Sequence, residues 1–316
     1  MTPDLLGPLR AHLLAALDPP PPEARRLFHG RGRRWPGLEH LTVDWLEGVL
    51  LVSLFREPEA EALAALRALL DDLAASAPWR AAAPRALLLQ HRYRPDSAME
   101  CRHGACPERW TLHEDGLRYG LDLGRHQNCG LFLDMRYGRR WVREHAAGRR
   151  VLNLFAYTCA FSVAALAGGA EVVVNLDMAR AALNRGRENH RLNGQPLERV
   201  SFLDHDLFKS WGALRKRGPY GLVIVDPPSF QKGSFELARD YRKVLRRLPE
   251  LLEADGWVLA CLNDPDTGPD FLLAAMAEEA PSLAFEARLE NPPEFLDIDP
   301  DAALKVLAFR RVAAPD

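Results

Sequence analysis

The apolar positions change rhythm partway along the chain. From Leu5 to Leu17 they recur at helical spacing, and the run Pro19 to Pro22 closes that helix because proline lacks the N–H to continue it. Leu41 to Trp45 and Val49 to Phe55 are short β-type runs on either side of Glu47-Gly48, which reads as a hairpin turn. Pro58 in a first turn, with Glu57, Glu59 and Glu61 near the positive end of a helix dipole, opens an alanine- and leucine-rich helix that ends near Ala74. These elements form a small α+β unit. Arg92 to Pro107 is polar, lacks an apolar period and is expected to be a linker. Trp110 to His113 and Leu117 to Leu121 then make a second hairpin, turned at Glu114-Asp115-Gly116.

From Arg150 onward strands, loops and helices alternate. Val151 to Leu154, Val172 to Leu176, Val200 to Leu203, Leu222 to Val225, Trp257 to Cys261 and Val306 to Phe309 read as strands. Phe161 to Leu166, Ala179 to Asn193 and Leu245 to Glu253 read as helices, the first stopped by Gly168-Gly169 and the second by Gly194. Such alternation predicts an α/β, Rossmann-like domain with a doubly wound parallel sheet, whose ligand lies at the carboxyl ends of the strands. The expected organisation is a smaller N-terminal α+β domain over residues 1–105 and the Rossmann-like domain, with its leading hairpin, over 106–316.

Composition narrows the function classes. With 316 residues, 47% hydrophobic and 27% charged, the chain can build one large and one small globular domain. No apolar run approaches the ~20 residues of a membrane span, and the N-terminus lacks a basic segment followed by an apolar core, so a cytoplasmic protein without membrane partners is expected. Five cysteines, an odd number, imply reduced thiols. Cys101, His103 and Cys106 are too few and wrongly spaced for structural zinc, and no metal is expected. A net charge of −2 excludes a strongly basic protein, so nucleic acid would have to meet local patches. Two exist, one through Arg25, Arg26, Arg31, Arg33 and Arg34, the other through Arg136, Arg139, Arg140, Arg143, Arg149 and Arg150.

Three acids stand at strand ends: Asp177, Asp206 and Asp226. An acid after the second strand is placed to accept hydrogen bonds from two ribose hydroxyls, which fits Asp177. The first turn, Phe155-Ala156-Tyr157-Thr158-Cys159-Ala160-Phe161, has no glycine, whereas a pyrophosphate needs glycines to approach the helix N-terminus. S-adenosylmethionine (SAM) has no phosphate and tolerates such a turn. Met178 and Leu207 flank the two acids on the cofactor side; helix capping is the competing role for Asp177 and Asp206. Asp226-Pro227-Pro228-Ser229-Phe230 is a rigid turn that aims the Asp226 carboxylate and the Pro227 carbonyl into the cleft. Those acceptors can hold a base nitrogen in line with a methyl group, and Phe230 can stack on the base.

Val151 to Ala165, Asp177, Asn189 to Gly194, Asp206-Leu207-Phe208 and Asp226 to Phe230 together resemble the SAM-binding motifs of bacterial 23S ribosomal RNA methyltransferases acting on cytosine C5 or guanine N7. Gly130-Leu131-Phe132-Leu133-Asp134-Met135-Arg136 is similar to that family's segment over the cofactor, so the resemblance places Phe132, Asp134 and Arg136 beside SAM. Pro36-Gly37-Leu38, Val43-Asp44 and the hairpin to Phe55 are similar to its central α+β domain. Three departures stand out. No PUA domain is expected before Arg26, and a second copy of the chain is a candidate replacement. Cys159-Ala160 replaces a glycine pair and is expected to crowd the cofactor's methionine end. Where the C5 enzymes carry a nucleophilic cysteine, the count gives Asn263, and Cys261 reads as a buried strand residue.

The expected function is SAM-dependent methylation of a nucleobase nitrogen in ribosomal RNA. Asp226, Pro227, Phe230 and Asn263 would serve catalysis, and Arg33, Arg34, Arg136 and Arg140 would hold RNA phosphates. Cytosine-C5 chemistry, a small-molecule or protein substrate, and a non-catalytic SAM-binding module are the alternatives.

Overall fold

The structure is a computed structural model that describes residues 3–107, 109–124, 127–228, 230–231 and 235–312, with the side chains of Pro3, Phe230, Gln231 and Phe235 outside the description. The chain forms two compact units, Met1–Leu133 with Pro292–Asp299, and Asp134–Asn291 with Pro300–Asp316.

The first unit runs α1 (Leu6–Ala16), β1 (Arg25–His29), β2 (Leu41–Trp45), β3 (Val49–Leu54), α2 (Ala60–Ala75), α3 (Ala77–Ala82), β4 (Ala86–His91), β5 (Met99–Gly104), β6 (Arg109–Glu114) and β7 (Leu117–Asp122). Strands β1 to β5 form one sheet in chain order, in which only β3 and β4 are parallel, because α2 and α3 cross over between them. Glu47 (φ 49°) and Gly48 (φ 96°) both adopt the left-handed conformation that a two-residue hairpin turn demands. Leu9 and Leu13 of α1 and Leu66 and Leu70 of α2 share a core with Val43, Val52 and Leu87 of the sheet. The expected linker contains β5, which hid from the hydropathy pattern because it is an edge strand whose side chains are all exposed or half-buried. Its Glu100 and Arg102 pair with Arg67 and Asp71 of α2. The β6–β7 hairpin, expected to lead the second domain, falls in this unit.

The second unit runs α4 (Arg136–His145), β8 (Arg150–Leu154), α5 (Ala160–Ala167), β9 (Val172–Leu176), α6 (Arg180–Leu192), β10 (Val200–Leu203), α7 (Trp211–Arg217), β11 (Tyr220–Val225), the two-residue strands β12 (Phe230–Gln231) and β13 (Phe235–Glu236), α8 (Leu237–Leu245), β14 (Leu252–Leu262), α9 (Pro269–Glu279), β15 (Leu283–Arg288) and β16 (Lys305–Arg311). The seven-stranded sheet has the order β10-β9-β8-β11-β14-β16-β15. Its first five strands are parallel and β16 is antiparallel to both neighbours. Both faces are covered. Leu152, Leu154, Val223 and Val225 point into one core, while Val151, Leu222 and Ile224 point into the other, the period-two alternation of a doubly buried strand.

The helix expected over 245–253 lies earlier, as α8. Leu248, Leu251 and Leu252 mimic helical spacing because all three enter the same core, but Leu248–Glu250 is a single 3-10 turn leading into β14. Strand β15 and helices α4, α7 and α9 were not expected. The order of strands reverses between β8 and β11, so the ends of β8, β9, β10, β11 and β14 surround the position where open α/β sheets bind ligands.

Candidate active site

The turn after β8 is unusual in backbone terms. Phe155 (φ 56°), Tyr157 (φ 46°) and Cys159 (φ 60°) alternate in the left-handed region, which non-glycine residues rarely adopt. Surrounding bonds hold it there. The Tyr157 N–H donates to Asp177 Oδ2 at 2.8 Å, and Asn189 Nδ2 of α6 donates to the Thr158 carbonyl at 3.0 Å. Cys159 is fully buried with Ala156 and Leu183. A Cβ built on Gly186 of α6 would lie 2.4 Å from the Cys159 sulfur, so glycine is required where the helix crosses the turn. The bulk expected to press on a cofactor is thus accommodated against α6. Burial, with the Asp177 charge nearby, pushes the Cys159 thiol well up.

A buried polar chain lies beneath this turn. Asn153 Nδ2 donates to Asn175 Oδ1 (2.9 Å), Asn175 Nδ2 to Ser162 Oγ (3.0 Å), and Gln195 Nε2 to the Val163 carbonyl (2.9 Å). His190 bridges the two ends, with Nε2 2.9 Å from Ser162 Oγ and Nδ1 2.6 Å from Gln195 Oε1. Because the Gln195 oxygen can only accept, His190 Nδ1 carries the proton and Nε2 accepts from the serine hydroxyl. Burial lowers the His190 pKa to about 4. The network ties β8, β9, α5 and α6 together; its members are ordinary residues spread over 43 positions (Asn153 to Gln195), so no local motif announces it.

At the end of β9, Asp177 is half-buried and Met178 exposed. Asp177 Oδ1 also accepts the Ala179 N–H at 2.7 Å, so capping and ligand holding are compatible: a carboxylate has about four lone-pair sites. At the end of β10, Asp206 Oδ1 accepts the Phe208 N–H at 2.9 Å as a helix cap, while Leu207 is buried.

The ends of β11 and β14 carry a large electrostatic perturbation. Asp226 is half-buried, and burial together with the charge of Asp134 pushes its pKa up to about 7 against the opposing pull of Arg139. Pro227 is buried beside it. Tyr241, fully buried on α8, donates to the Cys261 carbonyl at 2.9 Å, and its hydroxyl lies 3.4 Å from the Val225 carbonyl, so one side chain joins the ends of both strands. Cys261 is fully buried, as expected, and its thiol is pushed well up by burial and by Asp226 and Asp134. Asn263 is exposed just past β14, and the following turn is anchored by buried Lys305, whose Nζ donates to the Asp264 and Asp301 carbonyls. Tyr241 was missed because helix α8 was not recognised, Lys305 because it stands at the start of β16 just before the expected strand, and Arg139 was read only as one of a patch of surface arginines.

Ala160 opens α5, half-buried, whereas Phe161 is buried against Gly138 of α4, in the core and not in the turn's open face. Phe132 belongs to the first unit and is 44% exposed. Arg136 is 6% exposed, which suits an inward role and removes it from a phosphate-binding surface; Arg140 is exposed. Arg33 pairs with Asp297 at 2.7 Å, and Arg34 is exposed. Ser229 and the Phe230 side chain lie outside the described residues.

A half-buried carboxylate at the end of β9, oriented by two backbone N–H groups beside a turn without side-chain cations, suits ribose hydroxyls and not a pyrophosphate. The residues present therefore fit SAM. The model of the S-adenosylmethionine-dependent methyltransferase family matches residues 25–310. The chain belongs to that family.

Among its relatives, the Bacillus subtilis (strain 168) protein YwbD, assigned to the ribosomal RNA large subunit methyltransferases, is 31% identical over 305 residues, covering 92% of this chain and 73% of its own. Ribosomal RNA large subunit methyltransferase I of Aeromonas salmonicida is 34% identical over 162 residues, 50% of this chain and 41% of the relative. Methyltransferase K of Neisseria meningitidis is 32% identical over 184 residues, 55% and 51% of the two chains. The chain thus spans most of the first relative's length and about half of the others'. Among solved structures, a SAM-dependent methyltransferase from Streptococcus mutans shares the fold, with a TM-score of 0.84 at 23% identity over 97% of this chain and 80% of that one. SMU.776, solved with S-adenosylhomocysteine, has a TM-score of 0.83 at 23% identity over 96% and 80%.

Proposed function

We propose that this enzyme methylates a nucleobase nitrogen of large-subunit ribosomal RNA, with the ribose of SAM on Asp177, its adenine near Asp206 and Met178, and the target base at Asp226-Pro227. The substrate follows the names of the relatives, and such a substrate puts the enzyme in the cytoplasm. Bound SAM supplies an electrophilic methyl group.

The observation that carries the chemistry is the environment of Asp226. An amino nitrogen that gains a methyl must lose one proton, and a carboxylate whose pKa is pushed up to about 7 is matched to accept it. The carbonyl of Pro227 orients the same nitrogen. Cys261, wholly buried with its thiol pushed well up, is unsuited to the thiolate attack that C5 transfer needs. Asn263 can fix the base edge through its amide. Mass spectrometry of ribosomal RNA nucleosides from a deletion strain tests the reading: loss of one N-methylated base supports it, and an unchanged nucleoside profile refutes it.

A further inference from the structure

One face of the first unit gathers guanidinium groups that no part of the cofactor site uses. Arg26 is held bidentately by Asp44, at 2.7 and 3.0 Å. Arg31 and Arg92 both lie against the Phe55 ring, their guanidinium carbons 4.5 and 4.8 Å from its centroid. Arg92 is half-buried, and its Nη1 and Nη2 donate to the Gln127 carbonyl (2.7 Å) and to Asn128 Oδ1 (2.8 Å), both neutral acceptors. Among the described residues Arg92 makes no ion pair. Burial acts most strongly against its charge, with Arg31 and Arg26; Cys129 and, less, the Asp44 carboxylate act for it, and Asp44 is already forked by Arg26.

A half-buried cation held on neutral acceptors alone is stabilised when an anion arrives. Phe55 contributes geometry: stacking keeps both planar forks in place, which suits the paired N–H groups to phosphate oxygens. We infer that Arg31, Arg92 and Phe55 form a phosphodiester-binding locus of the first unit, which grips the RNA chain of the substrate. The inference rests on ribosomal RNA being that substrate. The sequence pattern pointed to Arg33, Arg34, Arg136 and Arg140 for phosphates and counted Arg31 in the first arginine patch; Arg33 pairs with Asp297.

The test is the salt dependence of binding of the full chain to large-subunit ribosomal RNA fragments, by fluorescence anisotropy. Arg31→Gln and Arg92→Gln should each weaken binding about fivefold or more and reduce the slope of log K against log salt by roughly 0.7, the release of one phosphate contact on a single strand. Phe55→Leu should weaken binding with the slope unchanged, because it loosens the forks and removes no charge. SAM affinity, read by calorimetry, should stay at the wild-type value in all three. Arg31 is exposed, so Arg31→Gln keeps the test alive if Arg92→Gln does not fold. Wild-type affinity and slope in Arg31→Gln, with RNA bound by the parent, would overturn the locus and leave the substrate reading standing. Thermal stabilisation by inorganic phosphate, with no effect of either substitution on RNA affinity, would assign the locus to a free anion and overturn it. A parent that binds no ribosomal RNA would overturn both readings.

Discussion

The backbone N–H of Tyr157 donates to Asp177 Oδ2 at 2.8 Å, tying the strained turn after β8 to the end of β9. The same carboxylate takes the Ala179 N–H on its other oxygen. The acid proposed to bind ribose therefore also holds the turn proposed to line the cofactor. Asp177→Ala should lower SAM affinity by about 1.5 to 3 kcal/mol for each hydroxyl bond lost. It should also lower the melting temperature by a few degrees, because the Tyr157 N–H loses its partner while φ stays positive. Calorimetry and thermal melts read the two effects; wild-type affinity in a folded variant contradicts the ribose role.

Asp226 governs a second prediction, on pH. Burial and the Asp134 charge push its pKa up to about 7 in the folded enzyme from an ordinary 3.8, so the native state holds the extra proton between those limits. Turnover should rise with pH up to about 7 and then level off, since the proton acceptor must be ionised. Stability should move the opposite way, falling as pH rises from about 4 to 7, because the native state binds more protons than the unfolded chain there. Asp226→Asn should lose the rising limb and most of kcat while SAM affinity stays nearly intact. An unchanged pH–rate profile in that variant contradicts the role.

Much of this site was legible in the sequence because parallel strands announce themselves as short apolar runs ending in an acid. Asp177, Asp206 and Asp226 all stand at or just past the ends of β9, β10 and β11. What supports them was hidden. The apolar spacing of Leu245, Leu248 and Leu251 imitates a helix, which displaced α8 and with it Tyr241. Helix α4 is arginine-rich with few apolar positions, so Arg139 and the approach of Asp134 to Asp226 left no periodic trace. The compensation of Cys159 by Gly186 is a contact between residues 27 positions apart (186 − 159), which only the fold reveals.

The buried chain through His190 makes a third prediction. Its pKa falls from 6.5 to about 4 on burial, so the unfolded state binds the extra proton between those values. The stability it contributes is complete above about pH 6.5 and is lost as pH falls toward 4, by at most about 3 kcal/mol. Protonation would set a second N–H against Ser162 Oγ, whose own hydrogen now points to His190. His190→Gln should be less stable at pH 7 but should lose less further stability between pH 6.5 and 4. Parallel stability curves for the two proteins, from denaturant titrations across this range, would rule out His190 as the titrating group.

The fourth prediction separates nitrogen from carbon chemistry at the end of β14. Transfer to cytosine C5 requires a thiolate to add to C6, and a fluorinated pyrimidine then traps the adduct; transfer to nitrogen forms no bond to the protein. The thiol nearest the expected position is Cys261, wholly buried, its carbonyl accepting from Tyr241 and its thiol held protonated by burial and two neighbouring acids. Exposing it would break that hydrogen bond and pull the strand end away from β11. Cys261→Ala should therefore keep methyl transfer within a few-fold, its loss coming from packing. Asn263→Ala should cost more, because the exposed amide just beyond the strand is the group proposed to orient the base by paired donor and acceptor. RNA carrying 5-fluorocytosine should give no denaturation-resistant complex on a gel. A trapped complex that disappears in Cys261→Ala would replace the nitrogen reading by C5 transfer while leaving the roles of Asp177 and the β8 turn intact.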